Sequence, residues 1–415
     1  MRTQPFPSYN TIGKEEEEAA LRVIRSGKLS CFIARGGDNF YGGREVQRFE
    51  RFVEELFEVK HAVSMNSATS CLYAAMGALG LGPGDEVIVS PYSHCISATA
   101  PLLYGAIPVF ADLEEDYFCL SIESIRRRIT PRTRAIIAVD TFGQSSDMDA
   151  LMALAREYNL KVVCDAAHSF GARYKQKWAG TVADIGVFSL NGHKVIQVGE
   201  GGIAVTNDDE LALRLALIRN HAEACITDLK VAEITNMLGQ NYRLGEIEAA
   251  MAVEQIKKLP GLIAQRVELA EYLTGRLCQI PGITPPAIRP GNTHAYYLYP
   301  IKYDEERVGL CRDDFVRSLN SQGIPLYRMA AGYVHPLYLQ PIFAEKKCAP
   351  YGYPWDSEYY DGQVDYSRGI CPVTERLYEK EMIVNHLIYP PLTRQDMDDI
   401  AEAFARSVEN AGKLS

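Results

Sequence analysis

The sequence predicts an α/β protein: a large domain with a mostly parallel central sheet flanked by helices, followed by a smaller C-terminal α+β domain. Between residues 61 and 206, short apolar runs alternate with helical patterns, which is typical of βα units. These runs are apolar throughout, as expected for strands that are buried on both faces. After Pro260 helices are grouped and strands are fewer, so we place the domain boundary there, between residues 1–260 and 261–415.

The large domain is predicted to begin with an amphipathic helix, because apolar residues recur at helical spacing in REVQRFERFVEELFEVK (44–60). The predicted strands are HAVSM (61–65), EVIVS (86–90), IPVFAD (107–112), AIIAVD (135–140), KVVCD (161–165), IGVFSL (185–190) and GGIAVT (201–206). Further helices are predicted at 66–79, around 97–103, from Ser121 and at 148–158.

The smaller domain is predicted to contain a long helix at 263–277, a strand at YYLYPIKY (296–303) and a helix at RDDFVRSLNSQG (312–323). An aromatic and proline-rich stretch runs from Tyr333 to Pro372, and a closing helix starts at Thr393.

Composition excludes several classes of protein. The 415 residues carry a net charge of −10 with a pI near 5.4 and no long basic run, which disfavours nucleic acid as the principal ligand. The first residues lack the apolar core of a secretory signal, and no apolar run approaches the roughly 18 residues that span a bilayer. The ten cysteines are scattered singly without a CxxC pair. We therefore expect free thiols in a soluble, cytoplasmic protein without a membrane partner.

Polar residues follow the predicted strands and are the candidate site residues. In open α/β sheets, ligands bind beyond the carboxyl ends of the strands, so residues at these ends should converge on one crevice. They are residues 66–70, 91–94, Asp140, 165–168 and 189–194.

Each group also has a purely structural explanation. The turn at 66–70 could bind a phosphate through free amides at a helix N-terminus, or it could only cap that helix. Asp165 could hold a positively charged ring nitrogen or cap the next helix. Lys194, in a loop of small residues, is either an ordinary solvated lysine or a desolvated one whose pKa is lowered enough for Schiff-base chemistry.

Together these residues fit pyridoxal phosphate. This cofactor needs a lysine for its aldehyde, an acid beside its pyridinium nitrogen and an anion site for its phosphate. The sequence supplies these groups: a helix terminus at 66–70, the imidazole of His94 after the next strand, Asp165, and Lys194, 29 residues after Asp165.

The sequence resembles a known family, the DegT/StrS-type sugar aminotransferases, which are pyridoxal-phosphate enzymes of the aspartate aminotransferase fold (fold type I). The resemblance covers nearly the whole chain. The motifs that carry it are SATSCL (67–72), GLGPGDEVIVSPYSHCISATA (80–100), CDAAHSFGA (164–172), ADIGVFSLNGHKVIQVGEGGIAVT (183–206), GQNYRLGEIEAA (239–250) and CPVTERL (371–377).

The resemblance implies a role for each matching residue. Lys194 corresponds to the lysine that forms a Schiff base with the cofactor, and Asp165 corresponds to the partner of the pyridine nitrogen. The phosphate contacts fall on the backbone amides of Ala68 and Thr69 and on the hydroxyl of Ser189.

Asn241, in GQNYRL, resembles the residue that reaches the phosphate of the neighbouring subunit, which implies a homodimer with shared active sites. Three residues depart from the family pattern. His94 stands where an aromatic ring usually stacks on the cofactor, His168 replaces a glutamine beside the cofactor's ring hydroxyl, and Cys164 occupies a position that is usually acidic. Dehydratase relatives carry histidine in place of the lysine, so the intact Lys194 favours transamination over dehydration.

The activity implied by the resemblance is transfer of an amino group from glutamine or glutamate to a ketone, in two half-reactions. The motifs QVGEGG, HPLYLQPIF and CPVTERL are similar to the branch that acts on cyclitols or free sugars in amino-sugar and antibiotic biosynthesis. A nucleotide-linked keto-sugar as acceptor, a sugar dehydratase and a cofactor-binding regulator are the alternatives. The tyrosines of 344–370 could stack on a nucleobase or pack in a dimer interface.

Two further residues are interpreted from the residues around them. His193 is adjacent to Lys194 and could act as an acid or base, but a structural role is favoured, because neighbours on a strand-like segment face opposite ways. A cysteine desulfurase would need a mobile cysteine in an exposed loop, and Cys348 is the candidate for that disfavoured reading.

Overall fold

The computed structural model describes residues 4–326 and 335–411, so Tyr333, where the predicted aromatic stretch begins, lies outside the described residues. In chain order, the strands of the described residues are β1 (His61–Met65), β2 (Glu86–Val89), β3 (Ile107–Phe110), β4 (Thr133–Val139), β5 (Lys161–Asp165), β6 (Arg173–Tyr174), β7 (Lys177–Trp178), β8 (Ile185–Ser189), β9 (Gly202–Thr206), β10 (Ile283–Thr284), β11 (Tyr299–Tyr303) and β12 (Met382–Asn385).

The central sheet has seven strands in the order β1-β9-β8-β5-β4-β2-β3. Neighbours from β8 through β5, β4 and β2 to β3 are parallel, and β9 runs antiparallel to both β1 and β8. Every strand predicted for the large domain is present, with bounds within two residues of the prediction. The predicted mostly parallel sheet flanked by helices is therefore confirmed.

Some helices of the described residues flank this sheet, and others pack against the small C-terminal sheet of β10, β11 and β12, which together with them is called the second unit. In chain order they are α1 (Lys14–Ser26), α2 (Arg44–Phe57), α3 (Ala68–Ala78), α4 (Ile96–Thr99), α5 (Ile122–Arg128), α6 (Met148–Tyr158), α7 (Asp209–Arg219), α8 (Glu246–Leu277), α9 (Glu305–Val308), α10 (Arg312–Ser321), α11 (Pro341–Ala344), α12 (Pro372–Arg376) and α13 (Arg394–Ala411). The region around 97–103, predicted as one helix, is divided between α4 and a 3₁₀ turn at Pro101–Tyr104.

Successive residues of the central strands enter different cores, because side chains alternate between the two faces of a sheet. Val87 and Val89 of β2 lie in the core that helices α3 and α7 cover, whereas Ile88 lies in the core that α5 and α6 cover. All three side chains are fully buried. Burial on both faces explains why these strands are apolar throughout.

Helix α8 is longer than predicted, since it begins at Glu246 and continues through Pro260. The prediction that a helix starts at residue 263 is wrong. Pro260 suggested a break because proline lacks an amide donor, but apolar packing on both sides of Pro260 keeps the helix continuous. Ile256 packs in a core beside the central sheet, and Leu273 packs in the core of the second unit. The domain boundary near residue 260 stays a prediction.

The second unit is built on a small antiparallel sheet in the order β10-β11-β12. The end of α8, together with α10 and α13, covers it. Phe315 of α10 and Phe404 of α13 meet edge to face with ring centroids 5.5 Å apart in this core. Segregation of helices to an antiparallel sheet is the α+β arrangement that the sequence predicted.

The aromatic segment 350–371 covers the exposed edge of the central sheet at β3. The Tyr366 hydroxyl donates to the carbonyl of Pro108 at 2.6 Å, and Trp355 Nε1 donates to the Tyr366 hydroxyl at 3.0 Å. Tyr360 donates to Glu86 Oε1 at 2.9 Å. An uncovered edge strand is a template for pairing with other chains, so this edge-covering segment protects the β3 edge of the sheet. These three aromatic side chains therefore face neither a nucleobase nor solvent.

Trp355→Ala is expected to lower the free energy of unfolding by about 3–5 kcal/mol, because it removes a large side chain that is only 5% exposed. Denaturant titration followed by circular dichroism measures this change. Tyr351→Ala is the matched control in the same segment, since Tyr351 is 98% exposed and should change stability by no more than about 0.5 kcal/mol. Equal effects of the two changes would contradict the edge-covering role.

No helix within residues 4–326 and 335–411 is long and apolar enough to cross a membrane. All ten cysteines are free, as the scattered spacing predicted.

Candidate active site

A cavity of about 190 Å³ lies at the carboxyl ends of the parallel strands. Its walls come from the residues that follow β1 and from the ends of β2, β4, β5 and β8, which is where such sheets bind ligands. The predicted site residues that line this cavity are Ala68, Thr69, His94, Asp165, His168, Ser189 and Lys194. The predicted convergence of strand ends on one crevice therefore holds for these residues.

Helix α3 begins at the cavity wall with Ser67 as its N-cap. The Ser67 hydroxyl oxygen accepts a hydrogen bond from the amide of Ser70 at 3.0 Å. The amides of Ala68 and Thr69 have no acceptor within the helix, because they lie in its first turn. Free amides and the positive end of a helix dipole together form a favourable place for an anion. The turn at 66–70 therefore caps the helix and also offers free amides to the cavity.

Gly202, the first residue of β9, makes room for this helix terminus. A Cβ at this position would lie 2.4 Å from the backbone nitrogen of Ala68, which is closer than any real contact. Ser189 pairs with Gly202 across β8 and β9, and its side chain lies in the cavity wall. A larger residue at Gly202 would displace the amides that face the cavity.

Asp165 is buried at the end of β5, yet its carboxylate is hydrogen-bonded. Ser97 Oγ donates to its Oδ2 at 2.8 Å, and the amide of Ala167 donates to its Oδ1 at 3.2 Å. Burial raises the pKa of Asp165, whereas these donors and the nearby Lys194 lower it. Ser97 was missed by the sequence analysis, because a serine inside a predicted helix carries no signal that it will reach a strand end.

Lys194 lies in a turn rather than on a strand, and it is buried. Its amide donates to the carbonyl of Asn191 at 2.9 Å, which closes the turn. Burial lowers the pKa of Lys194 to about 8, and the charge of Asp165 opposes that shift. The desolvated reading of this lysine is therefore the one that the structure supports, and a buried amine with a lowered pKa is a good nucleophile towards a carbonyl.

His168 and Tyr297 form the cavity wall beside Lys194. Their rings stack with centroids 4.3 Å apart and an interplanar angle of 21°. Burial holds the pKa of His168 well below its usual range, so its imidazole is neutral. Tyr297 was missed because it comes from the second half of the chain. The run of tyrosines before β11 predicted a strand, and nothing in that run pointed to the cavity.

His94 and His193 line the cavity together with Asn191 and Glu200. Asn191 Nδ2 donates to Glu200 Oε1 at 2.9 Å. The reason given for a structural role of His193 does not hold, because residues 191–196 form a turn, and neighbours in a turn need not face opposite ways. The surroundings lower the pKa of both histidines, chiefly by desolvation.

Asn241 does not line this cavity, unlike Ala68, Thr69, His94, Asp165, His168, Ser189 and Lys194. It is exposed, and its Oδ1 accepts from Arg243 Nε at 2.9 Å. The chain beside it adjoins the start of α3, since the amide of Asn66 donates to the carbonyl of Tyr242 at 2.8 Å. The predicted contact of Asn241 with the phosphate in a neighbouring subunit stays a prediction.

Asp140 was predicted to reach the crevice, but it is fully buried behind it. Its carboxylate accepts from Ser169 Oγ at 2.7 Å and from the amide of Ser146 at 3.0 Å. It also accepts a hydrogen bond from the thiol of Cys164, and burial raises its pKa to about 6. The prediction is wrong for Asp140, because nearby donors turn its carboxylate into the protein.

These groups match the three functional parts of pyridoxal phosphate. The cavity offers a buried amine at Lys194, a buried carboxylate at Asp165 and free amides at the start of α3. The residues present therefore fit an aldehyde, a pyridine nitrogen and a phosphate. Among residues 4–326 and 335–411, no group of three or more His, Cys, Asp or Glu side chains could hold a metal ion.

Comparison with known proteins agrees with this chemistry. The chain matches the model of the DegT/DnrJ/EryC1/StrS aminotransferase family over residues 32–405. The spore coat polysaccharide biosynthesis protein SpsC of Bacillus subtilis is 31% identical over 97% of both chains. The L-glutamine:2-deoxy-scyllo-inosose aminotransferase of Streptoalloteichus tenebrarius is 31% identical over 100% of this chain and 97% of that protein. The GDP-perosamine synthase of Caulobacter vibrioides is 33% identical over 73% of this chain and 79% of that protein.

Solved structures share the fold. The aminotransferase from Psychrobacter cryohalolentis has a TM-score of 0.83 and 26% identity, covering 98% of this chain and 100% of its own. An E. coli GDP-4-keto-6-deoxy-D-mannose-3-dehydratase with bound hydrated PLP has the same fold, with a TM-score of 0.79, 24% identity and coverage of 96% and 98%. The family model matches nearly the whole chain, and similar aminotransferases cover it from end to end. The chain belongs to the DegT/DnrJ/EryC1/StrS aminotransferase family and is a pyridoxal-phosphate-dependent aminotransferase.

Proposed function

We propose that this chain transfers an amino group from glutamine or glutamate to the ketone of an uncharged cyclitol or free sugar, with Lys194 as the cofactor-binding residue. The observation that carries the proposal is the placement of Lys194. It is buried, its pKa is lowered to about 8, and it faces Asp165 in a cavity that also contains the free N-terminus of α3.

When bound, pyridoxal phosphate supplies an electron sink that stabilises the charge left when a proton leaves the substrate carbon. Lys194 would hold the cofactor covalently through its Nζ. Asp165 would keep a ring nitrogen protonated, since a buried carboxylate beside a cation is strongly attractive. The amides of Ala68 and Thr69 and the hydroxyl of Ser189 would receive the phosphate.

Three further residues complete the proposed site. The ring of His94 would lie against the cofactor ring, and His168, as a neutral imidazole, would donate a hydrogen bond to the cofactor's hydroxyl. Asn241 would reach the phosphate bound in the other subunit of a homodimer. Its exposure in the single chain, away from its own cavity, supports that role.

Lys194 is also the proposed carrier of the proton. Between covalent attachments its amine is free, and it can take a proton from the substrate carbon and return it at the next step. A pKa of about 8 suits this task near neutral pH, because both the neutral and the protonated amine are then populated.

The cavity supports an uncharged acceptor. Among the described residues that line it, Lys194 is the sole lysine or arginine, and Glu200 adds a negative charge at the wall. Diphosphates are usually bound by arginine or lysine side chains, and those would be needed for a nucleotide-linked sugar. Hydroxyl groups of a cyclitol or free sugar suit the imidazole, amide and carboxylate groups of His94, His193, Asn191 and Glu200.

The relatives support glutamine as the donor and an inosose as the acceptor. Two similar proteins are named L-glutamine:2-deoxy-scyllo-inosose aminotransferase and L-glutamine:scyllo-inosose aminotransferase, at 31% and 30% identity, and each alignment covers 100% of this chain. The likeness to GDP-perosamine synthase favours a nucleotide-linked acceptor as the second candidate, but that alignment covers 73% of this chain.

A screen of donors and acceptors tests the proposal. The full-length protein is loaded with pyridoxal phosphate, and loss of the visible absorbance of the lysine-bound cofactor is followed after addition of glutamine or glutamate. Inososes, free keto-sugars and GDP-linked keto-sugars are then added in parallel. We expect glutamine to remove the absorbance and an inosose to restore it. Restoration by a GDP-linked keto-sugar alone would favour the second candidate, and no response to either donor would contradict transamination.

A further inference from the structure

Tyr297 makes close contact with the two cavity residues that flank the proposed cofactor position. Lys194 Nζ lies over its ring, 4.3 Å from the ring centroid, and the His168 ring stacks on it at 4.3 Å. A lysine amine within about 6 Å of an aromatic face is in the range where the ring quadrupole attracts a cation. Tyr297 therefore contributes more than volume to the cavity wall.

The backbone on both sides of Tyr297 is fixed. The amide of Ala295 donates to the carbonyl of Gly143 at 2.8 Å, and the amide of Leu298 donates to the carbonyl of Phe142 at 3.2 Å. Arg266 Nη1 donates to the carbonyl of Tyr296 at 2.9 Å. The ring is thus held at a defined place in the cavity rather than on a free loop.

A second set of contacts connects this segment to the turn that carries Lys194. The hydroxyl of Tyr9 donates to the carbonyl of Val195, directly after Lys194. The guanidinium of Arg266 lies over the ring of Tyr9, 4.7 Å from its centroid. Tyr9 and Arg266 therefore brace the two segments against each other, and the distance between Lys194 and Tyr297 is set from both ends.

We propose that Tyr297 is a positioning residue for Lys194: its ring face holds the lysine amine in the cavity and stabilises the ammonium form. This inference rests on the proposed role of Lys194. Whenever Lys194 is released from the cofactor, its amine must stay close to the reacting carbon to carry a proton, and the ring face keeps it there.

The charged groups around Lys194 do not by themselves account for everything that can stabilise its ammonium form. Asp165 attracts the ammonium form, whereas His94, His168 and His193 would repel it if they were protonated. Desolvation lowers the pKa of all three histidines, so they are neutral near pH 7. Among the charged groups that line the cavity, Glu200 pairs with Asn191, and Asp165 is the carboxylate whose charge raises the pKa of Lys194. The face of Tyr297 is a second contact that favours the charged amine.

The test uses the full-length, cofactor-free chain with Tyr297→Phe and Tyr297→Leu. Phenylalanine keeps the ring face and loses the hydroxyl, whereas leucine fills space without a ring. An amine-reactive reagent is applied across a pH series, and labelling of the Lys194 peptide is read by mass spectrometry. The midpoint of that profile reports the pKa of Lys194, and it does not depend on cofactor binding.

We expect the midpoint to stay near 8 in the wild type and Tyr297→Phe and to fall by about one unit in Tyr297→Leu. The fraction of neutral amine at pH 7 would then rise about fivefold. A purely space-filling role predicts equal midpoints for the two variants and would overturn the proposal, as would a midpoint that rises in Tyr297→Leu. If Tyr297→Leu fails to fold, Tyr297→Met supplies the same comparison.

In the loaded enzyme, Tyr297→Leu should lower kcat more than it raises KM, since the contact serves the released lysine rather than the substrate. Tyr297→Phe should restore kcat to within about twofold of the wild type. The outcome is separable from the proposed function. Covalent attachment of the cofactor without Lys194 would refute the role of Lys194, whereas unchanged midpoints would refute only the role of Tyr297.

Discussion

Lys194→Ala is expected to abolish transamination, with a loss in kcat on the order of 10⁴-fold or more, as for removal of other catalytic nucleophiles. The variant also loses the only proposed covalent bond to the cofactor. Borohydride reduction of the loaded protein should therefore attach the cofactor to the wild type and leave the variant unlabelled. Loss of activity and loss of covalent labelling are both expected, because the amine of Lys194 is proposed as the attachment point of the cofactor and as the proton carrier.

The control for this change is Lys177→Ala, since Lys177 is exposed on strand β7, away from the cavity. It should keep both activity and covalent labelling. Labelling of the Lys194→Ala protein at a single other lysine, with activity retained, would show that the proposed attachment point is wrong.

Asp165→Asn is expected to lower kcat/KM by about 10²- to 10⁴-fold, equal to about 3–5 kcal/mol of lost transition-state stabilisation. The amide cannot keep a ring nitrogen protonated, so the electron sink is weakened. The fold should survive, because burial already raises the pKa of Asp165 and the neutral amide has no such desolvation cost. Steady-state kinetics and thermal unfolding of the same variant measure both effects.

The same variant has a predicted pH signature. The charge of Asp165 raises the pKa of Lys194 and so opposes its burial. Without that charge, the pKa of Lys194 should fall below 8, and the acid limb of the activity profile should move to lower pH. Ser97→Ala, which removes only the hydrogen bond to the carboxylate, is the milder control. An activity profile that moves to higher pH in Asp165→Asn would contradict the proposed pairing.

The parts of the fold and site that could be predicted are those written in local patterns. Strands β4 and β5 are short, largely apolar runs with an acid at or directly after their last residue. Their bounds to within two residues, and the position of Asp165, therefore followed from the sequence. Lys194 was found because a lysine between Gly-rich turns follows that acid at a suitable spacing. Its burial, which decides between a surface lysine and a nucleophile, required the structure.

The rest depends on contacts between distant segments, which no local pattern records. Tyr9, Ser97 and Tyr297 reach the site from three separate parts of the chain. Asp140 directly follows strand β4 and Asp165 is the last residue of β5, yet Ser146 and Ser169 hold the carboxylate of Asp140 inside the protein. Two acids with similar local sequence therefore lie in different places, Asp165 in the cavity wall and Asp140 behind it, and hydrogen-bond donors from distant residues make the difference.

Helix α8 has a mechanical consequence. With 32 residues it is about 48 Å long, and its two halves are buried in different cores. Removing either core would expose an apolar stripe on the same rigid rod, so the two units should melt together rather than as separate modules. A hinge between them would have to bend this rod. Arg266 of this helix donates to the carbonyl of Tyr296, so the same rigid helix also fixes the segment that carries Tyr297 beside the cavity.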